Sequence, residues 1–252
     1  HDLVLCYNGW YGVDAETQKP IGDWSPEQYK PYLTYIDTDG KSVDTMFDGV
    51  LLLGLWSQYG RAFTPDPDVG PPQIEDWIWY YDKTFKEGGD IDNLNEAAKQ
   101  ASIDLGDPDY KVKLVLTIPE VPLTVEKFGT LNGRELNLTQ EEDWKYLISW
   151  WLDKVITEME SRDYEYIDFA GIYWLAETLG TEVEPRLYAA DIIHDAGYHF
   201  YWIPYFFASG TLWADKAGFD TVALQPNHFF DEPMDTTSAG AGGTTRVDNA
   251  AK

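Results

Sequence analysis

Acidic side chains that follow apolar, β-branched runs are the residues of this chain whose type and place could do chemistry. Tyr166-Ile-Asp-Phe-Ala-Gly-Ile-Tyr-Trp-Leu-Ala-Glu177 reads as a buried parallel strand, charged only at Asp168 before its last position. It delivers Tyr173, Trp174 and Glu177 at its carboxyl end, where parallel α/β folds keep their chemistry. A carboxyl group beside aromatic rings is a candidate proton donor or acceptor. The alternative is a glutamate that caps a helix or pairs with a cation such as Arg186. Glu120 stands between two prolines in Ile118-Pro-Glu-Val-Pro122, a rigid placement, with a solvated loop acid as its alternative. Asp231 and Glu232 open a flexible segment after a further apolar run. Glu177 ranks first and Glu120 second as catalytic residues.

Ligand contacts are expected from aromatic and amide residues at the strand ends: Tyr7, Asn8, Trp10, Trp56, Tyr173, Trp174, Tyr205, Gln225, Asn227 and His228. Each alone fits core or rim as well as a binding surface; their repetition at strand ends is the signal. Aromatics make up 15% of the chain, with 11 Trp and 17 Tyr, so either an aromatic-lined surface or a Trp-rich core must absorb them. Metal chemistry finds little support, because His1, His194, His199 and His228 lie far apart and no His-x-x-x-His pair occurs. No cofactor is implied. No Gly-x-Ser-x-Gly elbow is present. Cys6, the only cysteine, sits in an apolar run as a small core residue and rules out an internal disulfide.

Forty-four acidic against 18 basic residues leave a net charge of −26. Phosphate backbones and anionic membrane surfaces are repelled by such a chain, so nucleic acid is excluded as a partner and membrane insertion is not expected. No apolar run approaches the roughly 20 residues of a membrane span. The chain opens at His1 and shows no signal peptide, so it reads as a trimmed domain or a fragment.

Six strands are expected to position these residues: 3–8, 47–56, 111–118, 166–177, 199–206 and 221–225. Helices fall between them. Ser25-Pro26-Glu27 opens one that runs to about Ile36, with Ser as N-cap and Pro at the first position. Asp39-Gly40 then signals a turn. Helical pattern covers 74–81, and Ile91 to Leu105 repeats its apolar residues at the helical period before Gly106-Asp-Pro108 stops it. Thr139-Gln-Glu-Glu142 reads as a capping box for the longest helix, about 140–161. Another helix spans about 186–195. The proline-rich loop 57–72 follows the second strand and is expected on the same face as Glu177. From Asp235 to Thr245 the composition turns to that of a flexible loop.

Strict alternation of strand and helix argues for a parallel sheet. No Gly-x-Gly-x-x-Gly follows the first strand, and no phosphate-binding loop occurs, so a barrel fits better than a doubly wound sheet. The expectation is one domain over residues 1–252: a (β/α) TIM-type barrel truncated after strand six, without its last two β/α units.

Several stretches together carry a family resemblance. They are Met46-Phe-Asp-Gly49, Lys113-Leu-Val-Leu-Thr-Ile-Pro119, Gly171-Ile-Tyr-Trp174, Tyr201-Trp-Ile-Pro-Tyr-Phe206, Gly218-Phe-Asp220 and Leu224-Gln-Pro-Asn-His-Phe-Phe230. In this order the chain resembles the bacterial domain of unknown function 4855 family. The resemblance implies a glycoside-hydrolase-type barrel in extracellular or cell-surface proteins that carry appended carbohydrate-binding modules. It implies an oligo- or polysaccharide as partner, with Glu177 at the place of the acid after strand four. It also implies a nucleophile at the end of a seventh strand, beyond Lys252. Glycoside hydrolysis generally uses two carboxyl groups flanking the scissile bond. A non-catalytic carbohydrate-binding barrel is the other reading.

Overall fold

The computed structural model describes residues 2–64, 66–180, 183–205 and 208–225. In chain order the elements are β1 (Leu3–Tyr7), α1 (Pro26–Leu33), β2 (Thr34–Ile36), β3 (Ser42–Thr45), β4 (Gly49–Leu53), α2 (Ile74–Phe85) and α3 (Asp90–Leu105). There follow β5 (Val112–Ile118), β6 (Gly129–Leu131), β7 (Arg134–Leu136), α4 (Glu141–Arg162), β8 (Ile167–Trp174), α5 (Val183–Asp195) and β9 (His199–Trp202). A 3₁₀ turn (Thr211–Ala217) leads to β10 (Thr221–Val222).

The expected six strands form one sheet in the order β1-β4-β5-β8-β9-β10, with every pairing parallel. The expected TIM-type barrel, truncated after strand six, is not what they build. The sheet curls into an open half-barrel. Among the described residues β1 bonds within it only to β4, and β10 only to β9. Closure needs tilt and stagger shared by roughly eight strands. Among the described residues six strands, the last a two-residue ladder, leave the first and last as separate edges.

Strand alternation divides the sheet into two faces. Cys6, Leu52, Leu116, Ile172 and Phe200 stand in register across five strands, and all are at most 3% exposed. They belong to the helix-covered core. Cys6 is there as expected, and burial first, then the charge of Asp90, pushes its thiol up to about 12, which makes it inert at neutral pH. The opposite, concave face carries Leu5, Leu51 and Val115 in one row and Thr117, Tyr173 and Tyr201 in the next.

The helices are held by the apolar stripes that their sequences show. In α4, Trp144, Leu147, Ile148, Trp151, Leu152, Val155, Ile156 and Met159 are all buried. Trp151 stacks on Tyr80 of α2 with centroids 5.9 Å apart and meets Trp77 edge-on at 5.3 Å. Such aromatic pairs are worth about 0.5–1.5 kcal/mol each beyond the area they bury. Ser25 and Gly106 cap α1 and α3 as expected, Gly106 with φ +68°. Thr139 is not the cap of α4: the helix starts one residue later, and the Thr139 hydroxyl bonds to Asn137 Oδ1 at 2.6 Å instead. Asp143, in its first turn, accepts from the Asn137 N–H at 2.8 Å.

Two small hairpins were not expected. Helix α1 stops at Leu33 because Thr34, Tyr35 and Ile36 prefer a strand, and β2 turns back into β3 around Asp37, whose carboxylate accepts from the N–H groups of Asp39 and Lys41. The second, β6–β7, turns on Asn132-Gly133, with φ +50° and +82°. That is the Asn-Gly signature of a two-residue hairpin.

Candidate functional site: two carboxylates in one cavity at the strand ends

The chain leaves β5 through Pro119, and the Glu120 N–H bonds to the Phe63 carbonyl at 3.1 Å. Val121, 1% exposed, anchors the next residue in the core. Glu120 is therefore fixed between the end of β5 and the loop that follows β4.

Glu177 is delivered by β8 through a bulge. Pairing with β5 shifts between Leu114 and Val115, which face Phe169 and Gly171, so Ala170 is the extra residue. Gly171 adopts φ +150°, and a Cβ there would overlap the His199 carbonyl oxygen. Without the extra residue the alternation would turn Ile172, not Tyr173, to the concave face. Beyond the strand, the Trp202 indole N–H donates to the Ala176 carbonyl at 2.8 Å and fixes the chain just before Glu177.

Glu177 itself is exposed at the rim. Its Oε1 accepts a hydrogen bond from Gln225 Nε2 at 2.8 Å. Gln225 is doubly tied to the end of β9, donating from Nε2 to the Ile203 carbonyl and from its backbone N–H to that of Pro204.

Glu120 and Glu177 line the same cavity of about 640 Å³, together with Tyr7, Thr64, Tyr173 and Gln225. Leu5, Leu53 and Ile203 supply apolar lining. Tyr173 is 3% exposed; burial first, then the charge of Glu177 and the neighbouring Tyr7, hold its phenol well above the usual range. It stays protonated through the physiological range and is a fixed hydrogen-bond donor there. Thr64 belongs to the loop after β4, so that loop does reach the face of Glu177.

The other expected contacts fall elsewhere. Asn8 is fully buried on the helix side: its Nδ2 donates to Thr84 Oγ1 at 3.1 Å and to Asp90 Oδ2 at 3.3 Å, and its Oδ1 accepts from the Tyr80 hydroxyl at 2.9 Å. Its amide is spent on structure. Trp174, one residue past Tyr173, alternates to the helix side and meets Phe200 edge-on at 5.9 Å. Trp10 and Trp56 are half-buried and joined by a backbone hydrogen bond of 2.8 Å; neither lines the cavity, nor does Tyr205. Asn227 and His228, like Asp231 and Glu232, lie outside the described residues.

Among the described residues no three His, Cys, Asp or Glu side chains stand together as a metal site. No helix among them is long and apolar enough to cross a membrane.

Residues 2–240 match the family model described as domain of unknown function (DUF4855). The chain belongs to this family. No curated protein and no solved structure matches it. DUF4855 membership agrees with the resemblance carried by the strand motifs and names no activity, so the chemistry has to be argued from the cavity.

Proposed function

We propose that this DUF4855 domain hydrolyses glycosidic bonds in an oligo- or polysaccharide, with Glu177 and Glu120 as its two carboxyl groups. One observation carries the reading. Two carboxylates from the ends of neighbouring strands, β5 and β8, line one cavity with an exposed tyrosine ring, a buried phenol and a clamped amide. Glycoside hydrolysis asks for this set: two carboxyl groups flanking the bond, a ring face for the sugar and polar groups for its hydroxyls.

In this mechanism Glu177 gives its proton to the departing glycosidic oxygen as the bond from that oxygen to C1 breaks. Glu120 meets the developing positive charge at C1 from the other side. It either takes a proton from the attacking water or bonds to C1 itself and is released by water in a second step. Tyr173 donates to one hydroxyl group of the sugar, and Gln225, whose Nε2 is spent on Glu177 and Ile203, accepts from another through Oε1.

The test is release of reducing ends from a panel of polysaccharides. Glu177→Gln and Glu120→Gln should each lower the rate by about 10²–10⁴-fold, the usual worth of general acid–base help. Wild-type turnover in the Glu177 variant would remove it from the role of acid. A second reading, carbohydrate binding without cleavage, draws on the exposure of Glu177. A general acid in a glycosidase is usually enclosed by apolar neighbours. Retention on a glycan without reducing-end release would favour that reading.

A further inference from the structure

Tyr7 is half exposed and lines not one cavity but two. On its far side lies a second depression of about 440 Å³, walled by Tyr11, Ile21, Trp24 and Gln28. A third, of about 720 Å³, shares Ile21, Trp24 and Gln28 with the second. Each has the size of a small-ligand site, roughly 300–1,000 Å³. Joined through shared walls, they exceed what a single sugar would need.

The second depression is built from immobilised rings. Tyr11 meets Tyr7 edge-on at 5.9 Å, and its hydroxyl is pinned between the Leu53 carbonyl at 3.4 Å and the Leu55 N–H at 3.2 Å. Trp24 stacks on Tyr29 at 5.1 Å, and its indole N–H donates to the Tyr7 carbonyl at 2.9 Å. Rings already held in place lose little freedom when a ligand settles on them. Charge narrows the ligand further. The first cavity has two carboxylates and no basic residue among its described lining, Asp23 in the second is paired with Lys83 and Lys86 at 3.3 and 2.9 Å, and in the third Lys19 and Lys86 are outnumbered by Asp14, Glu16, Asp23 and Asp90. The whole chain carries −26.

Resting on the glycosidase reading above, we infer that the three depressions form one groove for an extended polysaccharide without acidic groups. The chain is cleaved internally at Glu120 and Glu177, and further sugars lie over Tyr7, Tyr11 and Trp24.

The probe variant is Ile21→Trp. Ile21 is 45% exposed and its backbone N–H bonds to the Gly12 carbonyl, a contact the side chain does not share, so the larger ring fills the second depression without disturbing the core. Wild-type and variant chains are run in native gels cast with mixed-linkage β-glucan, xylan, galactomannan or partially deacetylated chitin, with polygalacturonate as the acidic control. Wild type should be retarded by at least one of the first four and not by polygalacturonate. Ile21→Trp should weaken that retention about tenfold, the order expected for one lost ring contact. On a polymer that is cleaved, kcat/KM should fall about tenfold more than on a disaccharide of the same linkage.

Retention on no polymer, equal retention of variant and wild type, or retention by polygalacturonate overturns the groove. Polymer cleavage that Ile21→Trp leaves unchanged does so too, while the hydrolase reading survives. Retention that depends on Ile21, with no reducing ends released from any polymer, upholds the groove and removes the hydrolase.

Discussion

Tyr7 and Asn8 are neighbours with opposite fates: one ring stands between two depressions, the other side chain disappears into a polar knot. At this scale, side-chain partners decide what a residue is for. Asp220 gives a case with a measurable pH signature. Burial pushes its carboxyl upward, but the Phe200 N–H at 2.7 Å and His194 at 2.9 Å outweigh it and hold the carboxyl below the usual range. A carboxylate with a lowered folded pKa adds stability above its unfolded pKa, near 3.9, and loses it as the pH falls through the folded value. Denaturant unfolding between about pH 5 and 2 should therefore fall less steeply in Asp220→Asn than in wild type. Parallel slopes would mean that Asp220 does not contribute to acid unfolding.

At the scale of elements, the bulge in β8 is the feature on which the cavity depends. Gly171→Ala places a Cβ against the His199 carbonyl at a φ of +150° that side chains rarely adopt. The expected cost is about 3 kcal/mol or more, from overlap added to backbone strain. It should appear as a lowered urea midpoint at an unchanged m-value. A cost within 0.5 kcal/mol would show that β8 and β9 part easily. The same bulge marks the limit of what the sequence discloses. Runs such as Val50-Leu-Leu-Leu53 and Lys113 to Ile118 announce strands because their composition is local information. Which of Tyr173 and Trp174 faces the cavity depends on the one extra residue at Ala170, and that is settled by pairing with β5. Asn8 likewise reads as a strand-end amide until α2 and α3 are packed beside it. The hairpin at Asn132-Gly133 is announced by its turn residues alone, because three-residue strands are too short to show an alternation. Glu120 and Glu177 were both readable as strand-end acids; their sharing of one cavity depended on adjacent strands. Closure of the sheet was not legible, since it rests on whether the first and last strands meet.

For the molecule as a whole, one buried ion pair ties the start of the sheet to two of the helices that cover it. Lys83 of α2 bonds to Asp90 of α3 and to the Gly22 carbonyl, both at 2.5 Å. Asp90 accepts from Asn8 past the end of β1 and from the Trp24 N–H. Strand, loop and two helices thus meet at one carboxylate that is 1% exposed. Lys83→Ala leaves that carboxylate without its cation and should cost about 3–5 kcal/mol in urea unfolding. A loss below about 1 kcal/mol would show that Asp90 takes up a proton at little expense.

The hydrogen bond from the Trp24 indole to the Tyr7 carbonyl has one more consequence. Among the described residues β1 is an edge of the sheet, and Leu5 and Tyr7 on it are exposed. Parallel pairing with β4 uses the Asn8 N–H, so the Tyr7 carbonyl points outward, where a strand of another molecule could add. The indole occupies that acceptor. A side chain that walls the groove thereby also guards the protein against edge-to-edge aggregation.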